Sequence, residues 1–341
     1  MKLSDYGILP DYPDSLAGIP ARVVARHRER YEIVCAYGPA YARLKAKDYY
    51  LEGALFPTVG DYVALDYNPS GDSRILATLP RRSCFFRREP GPIPRDQAVA
   101  ANFDYVLLLQ SLNQDFNPKR LERYLTMAWQ SGATPVVLLT KADLVPSDRA
   151  YRAEAERIAC GAAVHAVSAR TGLGLEALEP CLRPGKTLVL LGSSGVGKSS
   201  LVNALAGAEI MAVSGIREAD GKGRHTTTHR QLLRLPGGAL IIDTPGMREL
   251  GMAEAEAGLT EAFPDVEQYL GLCRFSDCSH TREPGCAIRA ALAAGELDPA
   301  RWRSWQKLHA EAETYAEVLR RKRDWSKTVA EARRQRNRKN R

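Results

Sequence analysis

The rhythm of apolar and polar positions changes three times along the chain. Residues 19–24 and 31–36 are short apolar-rich stretches, residues 59–67 alternate after a Gly-containing turn, and residues 74–79 form one more stretch. Short strands at this spacing predict a small β-barrel. An OB-fold barrel fits, and the alternation does not separate it from an SH3-like barrel. Residues 80–98 lose the rhythm and carry Arg81, Arg82, Arg87 and Arg88 with Pro90, Pro92 and Pro94, which reads as a basic, Pro-rich linker. From residue 101, continuous apolar runs at 105–109, 135–139, 163–167 and 187–191 alternate with helix-periodic stretches at 118–130, 148–160 and 174–182. Apolar runs of this kind are parallel strands covered on both faces, so the pattern predicts a doubly wound α/β domain. Near the C-terminus, Asp298 and Pro299 signal a helix start, and Trp302, Trp305, Leu308 and Ala312 recur at helical spacing as a packing face.

Composition and charge narrow the class. A chain of 341 residues with 45% hydrophobic and 26% charged content has length for two or three domains and material for real cores. No apolar run approaches the roughly 20 residues of a membrane span, and the N-terminus lacks a secretory pattern. The expectation is a cytoplasmic protein that uses no membrane. The formal net charge of +8 is concentrated at one end: residues 320–341 hold eleven Lys and Arg against two acids. Such a tail is an electrostatic footprint for a polyanion. The seven cysteines are few for this length and fit a reducing compartment.

The chemistry gathers at the ends of the apolar runs. Gly192, Ser193, Ser194, Gly195, Val196, Gly197, Lys198, Ser199 and Ser200 follow a strand and open a helix, the context of a P-loop. Glycines let backbone N–H groups turn toward a phosphate chain, Lys198 reaches its terminal phosphates, and the Ser199 hydroxyl ligates Mg²⁺. Thr140, Lys141, Ala142 and Asp143 end another strand. They resemble the Asn-Lys-x-Asp motif in which a carboxylate accepts hydrogen bonds from guanine, although Thr140 replaces the usual Asn and is expected to weaken that contact. Ser168 and Ala169 resemble the next guanine-binding segment. After the P-loop helix, Gly223, Arg224, His225, Thr226, Thr227 and Thr228 form a loop rich in hydroxyls that suit Mg²⁺. Asp243-Thr244-Pro245-Gly246 then closes a predicted hairpin with the D-x-x-G pattern of a Mg²⁺-side carboxylate (Asp243) and a γ-phosphate-sensing glycine (Gly246). Further on, Cys273, Cys278, His280 and Cys286 lie within fourteen residues. Three thiolates and an imidazole make a closed tetrahedral zinc set with no open position, hence a structural site.

The motif order is unusual. A conventional GTPase runs P-loop, Thr loop, DxxG, NKxD, SA; here TKAD and SA come first, a circular permutation. The permuted order, with a barrel before it and a Cys/His cluster after it, resembles the bacterial small-ribosomal-subunit-dependent GTPases, late ribosome assembly factors, over nearly the whole chain. The resemblance implies an OB-fold at 1–80, a basic linker at 81–98, a permuted P-loop GTPase at 99–257, and a mostly α-helical zinc-binding domain with a basic tail at 258–341. It implies GTP and GDP as ligands, Mg²⁺ and one structural Zn²⁺, and the small subunit and its rRNA as partners of a monomer.

On this reading Asp143 reads guanine, Lys198 and the loop amides hold phosphates, and Ser199, Asp243 and one of Thr227 or Thr228 organise Mg²⁺. Met247 occupies the position where many GTPases carry a water-orienting Gln, and a thioether cannot orient water. Slow intrinsic turnover, stimulated by the small subunit, is therefore expected, with His225 as the candidate catalytic replacement. Two other readings remain at this level: an RNA-binding scaffold with a structural, non-turning-over nucleotide, and an ATP-dependent RNA enzyme.

Overall fold

The computed structural model describes residues 2–7, 12, 16–27, 30–44, 56–88, 96–113, 115–211, 230–243, 256–314 and 316–317. The N-terminal strands are β1 (Ile19–His27), β2 (Arg30–Cys35), β3 (Gly38–Arg43), β4 (Tyr62–Asp66) and β5 (Ser73–Thr78). They pair in the order β1-β2-β3-β5-β4, and β4 returns to β1 with Ile19 opposite Leu65 and Arg22 opposite Tyr62. This closed five-stranded Greek-key barrel is the OB arrangement, which decides between the two barrels left open by the sequence. Its core is Ala21, Val23, Tyr31, Ile33, Val63, Leu65 and Ile75.

Part of the stretch expected as a linker is ordered. β6 (Cys84–Arg88) and β7 (Asp96–Ala101) form an antiparallel two-stranded sheet. Phe85 stacks on Phe103 with ring centroids 4.8 Å apart, so the apolar side of this hairpin is buried rather than solvated. Its neighbour Arg81 is turned inward: its guanidinium pairs with buried Asp61 at 2.7 and 2.8 Å. Asp61 also accepts from the Thr58 N–H.

The α/β region holds β8 (Tyr105–Ser111), α1 (Pro118–Gln130), β9 (Thr134–Thr140), α2 (Arg149–Ala159), β10 (Ala163–Ala166), β11 (Thr187–Leu191), α3 (Lys198–Ala206), β12 (Gln231–Arg234) and β13 (Leu240–Asp243). The sheet order is β10-β9-β8-β11-β13-β12, parallel except for β12, which runs antiparallel to β13. The stretch at 174–182 is a 3-10 helix, Leu175–Leu182, with Pro180 inside it; the missing N–H of proline disfavours a regular α-helix there. α1 starts as its sequence dictates: Asn117 caps the N–H of Arg120 at 3.1 Å and Pro118 takes the first helical position.

Barrel and α/β sheet are continuous. β12 pairs with β1, Gln231 opposite Ala25, giving one eleven-stranded sheet. Arg22 sits buried at this seam over the Tyr62 ring. It donates to the carbonyls of Tyr6, Gly60 and Asn102 and to the Thr187 hydroxyl. These bonds tie the N-terminal segment, the barrel and the start of β11 to one guanidinium.

The C-terminal region contributes α4 (Glu256–Ala262), α5 (Pro264–Glu267), α6 (Ala287–Ala294) and a helix over 299–314. Trp302, Trp305, Leu308 and Ala312 are all buried on that last helix, as the spacing predicts. Arg301 anchors it to the α/β region. Its guanidinium, 2% exposed, bonds Glu122 of α1 at 2.9 Å, Asp265 at 2.7 and 2.9 Å, and the Ala262 carbonyl at 2.8 Å. Burial opposes the charge on Arg301; the facing Asp265 and Glu122 outweigh it and hold its pKa above the ordinary value. Breaking such a buried pair on one side costs about 3–5 kcal/mol.

Candidate nucleotide site and metal centre

Three strand ends meet at the carboxyl edge of the sheet, where open α/β sheets take ligands. The P-loop leaves β11 and enters α3, so its N–H groups and the helix N-terminus face one space. Its glycines are sterically required. A Cβ on Gly192 would stand 3.0 Å from the Leu109 carbonyl oxygen and 2.8 Å from Val196, and Gly197 has φ 106°, which L side chains rarely adopt. Lys198 folds over the loop, donating to the carbonyls of Gly192 at 2.8 Å and Ser193 at 2.6 Å. The ammonium is thereby held at the loop.

The guanine-motif residues come together around it. Asp143 follows β9, and its carboxylate accepts from the Ser168 hydroxyl at 2.6 Å. The Ser168 hydroxyl in turn accepts from the Thr171 N–H at 3.2 Å, and the Ala142 N–H donates to the Val167 carbonyl. Lys141 sits in the left-handed region at φ 61°, which turns the chain so that Ala142 and Asp143 meet the end of β10. Thr140 does more than its sequence reading allowed. Its buried hydroxyl donates to the P-loop carbonyl of Val196 at 2.7 Å. A side-chain bridge from the guanine segment to the phosphate loop is therefore present, made by a hydroxyl instead of an amide.

Asp243 ends β13 beside β11. Burial pushes its carboxyl above the ordinary range, and the charge of Lys198 pulls the other way. An acid whose ionisation is opposed by burial and favoured by a nearby cation suits a cation-binding role. His225, Thr226, Thr227, Thr228, Gly246 and Met247 lie outside the described residues, as do residues 318–341 of the basic tail.

The structure adds residues that motif reading passed over. Ser193 donates to Asp115 at 2.5 Å, and Asp115 pairs with Arg120 at 2.9 Å. Arg120 also reaches Gln110 Oε1 at 3.2 Å. The first turn of α1 thus braces the phosphate loop. The one sequence signal for this was the Asn117-Pro118 helix start directly after the strand neighbouring β11.

In the C-terminal region the ligand atoms of Cys273, Cys278, His280 and Cys286 all lie within 4.8 Å of one another. A tetrahedral site with Zn–S of about 2.3 Å and Zn–N of about 2.0 Å has edges of about 3.8 Å between sulfurs and about 3.5 Å between sulfur and nitrogen. The structure gives 3.9 Å for Cys273–Cys286 and 3.4 and 3.5 Å from these sulfurs to His280 Nδ1. The donor set fits a closed zinc site. Backbone N–H groups of Ala287 and Arg289 point at the sulfurs of Cys273 and Cys286. Burial opposes ionisation of Cys273, and donation from Ala287, Cys278 and Cys286 overcomes it, so its pKa lies below the ordinary value. Trp302 stands edge-on to the His280 ring at 5.7 Å, linking the cluster to the packed helix.

The RsgA GTPase family model matches residues 78–253. The chain belongs to the RsgA GTPase family. It is therefore a GTPase, a class that takes guanine nucleotide with Mg²⁺. The small ribosomal subunit biogenesis GTPase RsgA 1 of Listeria monocytogenes is 46% identical over 320 residues, 93% of this chain and 91% of the relative. The small ribosomal subunit biogenesis GTPase RsgA of Streptomyces avermitilis is 47% identical over 285 residues, 80% and 75% of the two chains. Among solved structures, YjeQ from Thermotoga maritima matches with a TM-score of 0.64 at 28% identity, over 86% of this chain and 98% of its own. YloQ, a circularly permuted GTPase, matches with a TM-score of 0.59 at 23% identity, over 89% and 98%, and shares the fold. Among the described residues no helix is long and apolar enough to cross a membrane.

Proposed function

We propose that this GTPase acts in late assembly of the small ribosomal subunit, binding its rRNA and cycling off with GTP hydrolysis. The observation that carries the proposal is the meeting of Thr140, Asp143, Ser168 and the P-loop at one sheet edge of a chain whose relatives are named for small-subunit biogenesis. The divisions at 1–80, 81–98, 99–257 and 258–341 are part of the same reading, with a monomer acting in the cytoplasm. Asp143 accepts from guanine N1–H and the exocyclic amine, whereas adenine has no N1–H and leaves the carboxylate without that pair of donors. The segment from Gly192 to Ser200 wraps the phosphates, with Lys198 on the terminal ones. Ser199, Asp243 and Thr227 or Thr228 are the residues to hold Mg²⁺, which when bound neutralises charge on the β- and γ-phosphates. Cys273, Cys278, His280 and Cys286 hold one structural zinc. His225 is the candidate to place the attacking water, since Met247 cannot.

Turnover, rather than a structural nucleotide, is the expected mode. Lys198 folded onto the P-loop, with its charge acting on Asp243, supports this reading, in which the partner completes the water-positioning side. Co-sedimentation with purified small and large subunits tests the proposal. Retention on small subunits with a non-hydrolysable GTP analogue and release with GDP is expected; equal retention on both subunits, or none, would overturn it. Asp143→Asn is expected to reduce the preference for GTP over ATP in a competition assay.

A further inference from the structure

Ser193 is gripped from two sides. Its carbonyl accepts from the Lys198 ammonium at 2.6 Å, and its hydroxyl donates to the Asp115 carboxylate at 2.5 Å. One residue of the P-loop therefore joins the loop's lysine to a carboxylate that none of the nucleotide motifs contains. Asp115 is held in turn. Its two oxygens meet the Arg120 guanidinium at 2.9 and 3.0 Å, and Arg120 also donates to the Asp115 carbonyl and to Gln110 Oε1. Burial opposes the charge on Asp115; donation from Ser193 and Arg120 outweighs it and holds the carboxyl below its ordinary range.

The connection that delivers Asp115 is fixed by its own residues. Just after β8, Asn113 Oδ1 accepts from the Ser111 hydroxyl at 2.8 Å and from the Asp115 N–H at 2.9 Å. Asn117 then caps α1, and Glu122 and Arg123 of α1 bond Arg301 and Glu311 of the last helix. Asp115 thus stands between an anchored helix and the loop. Stability does not explain the pair: the Arg120 and Asp115 side chains are 24% and 37% exposed, and ion pairs this open to water contribute little to folding. A carboxylate beside a phosphate loop also repels an anion, an effect that the Arg120 charge offsets. What the arrangement supplies is geometry, the bidentate fork of Arg120 fixing the carboxylate that Ser193 donates to.

We propose that Asp115 is a positioning residue for GTP hydrolysis: clamped by Arg120, it fixes Ser193 and, through the Ser193 carbonyl, the place of the Lys198 ammonium. Asp115 acts through Ser193 on Lys198. A P-loop lysine neutralises charge that grows between the β- and γ-phosphates as the bond breaks, and such an effect depends on a donor being in place beforehand. Loss of the Ser193–Asp115 bond leaves the loop able to bind nucleotide and less able to hold the ammonium where that charge develops.

This inference rests on the reading that residues 192–200 take the phosphates. The test compares the unaltered full chain with Asp115→Ala, Asp115→Asn, Ser193→Ala and the double variant Asp115→Ala/Ser193→Ala. Three quantities are read: single-turnover GTP hydrolysis at saturating nucleotide, affinity for a fluorescent non-hydrolysable GTP analogue, and unfolding temperature. Asp115→Ala and Ser193→Ala are each expected to slow hydrolysis about tenfold with affinity changed far less, because the ammonium acts most in the transition state. The double variant is expected to be no slower than either single one, since both remove the same bond. Asp115→Asn keeps an acceptor for the Ser193 hydroxyl and is expected to retain most of the rate, and all four variants are expected to unfold near the unaltered temperature. An unaltered rate in Asp115→Ala, slowing that multiplies in the double variant, Asp115→Asn as slow as Asp115→Ala, or slowing matched by a fall in unfolding temperature would overturn the inference alone. Lys198→Ala that leaves both analogue affinity and hydrolysis unchanged would instead remove the reading beneath it.

Discussion

Thr140 shows how a departure from a motif is resolved by geometry. The usual Asn is absent, yet the hydroxyl bonds Val196 O at 2.7 Å inside the sheet edge. Thr140→Val keeps the shape and leaves that carbonyl unpaired, at a cost of about 1–3 kcal/mol, or near tenfold and more in nucleotide affinity. Titration with a fluorescent GDP analogue checks this, and Thr140→Ser is expected to restore most of the affinity. Asp243 offers a second residue-level outcome. Its folded pKa lies above the ordinary 3.8 because burial penalises the carboxylate. The protonated form is therefore the one folding favours, and the stability linked to it is present below pH 3.8 and lost as pH rises through the folded value. In chelator-treated, nucleotide-free protein, Asp243→Asn is expected to raise the unfolding temperature at neutral pH, with the gain vanishing in acid. The same variant is expected to lose Mg²⁺-dependent GTP binding. A residue costly to the empty fold and needed by the ligand belongs to a site. Thr140, Asp143 and the P-loop were legible in the sequence because each motif is local. The Ser193–Asp115–Arg120 brace was not, because its spacing is set by the neighbouring strands β8 and β11.

At the scale of elements, the parallel strands and long helices were plain because burial on both faces writes continuous apolar runs. α1 was expected over 118–130 and is found there. β3 was missed: Gly38 and Pro39 open it, and its outward positions Tyr41 and Arg43 give little apolar signal, so only pairing with β2 and β5 defines it. The β6–β7 hairpin was missed for a related reason, since Arg87 and Arg88 mask the buried Phe85 in a composition-based reading. The Cys/His segment has a different physics. It has little regular structure between α5 and α6, and its four ligands converge as a zinc set. Metal removal by a strong chelator is expected to loosen this segment and, through the His280–Trp302 contact, to alter tryptophan fluorescence and lower the unfolding temperature by several degrees. Restoration of both signals by one equivalent of zinc is the matching outcome. Arg301 carries the consequence further, since the helix bearing Trp302 is also the one keyed to Glu122 of α1.

At the scale of the whole molecule, permutation decides what is connected to what. Strands β9 and β10, which lead into the TKAD and SA motifs, come before the P-loop, so the chain leaves the candidate nucleotide site through β12 and β13 and then enters the C-terminal helices. β12 is also the strand that pairs with the barrel. The hairpin next to the phosphate site is therefore in contact with the barrel on one side and continuous in sequence with the Cys/His region on the other. A partner that grips barrel and C-terminal region together engages both ends of the segment that carries Asp243. On the proposed function, this arrangement is what a GTPase completed by a large partner needs. GTP hydrolysis titrated with purified small subunits, large subunits and free rRNA tests that claim most directly. A saturable rise in kcat with small subunits, and none of comparable size with large subunits, is the predicted result; turnover that small subunits leave unchanged would contradict it.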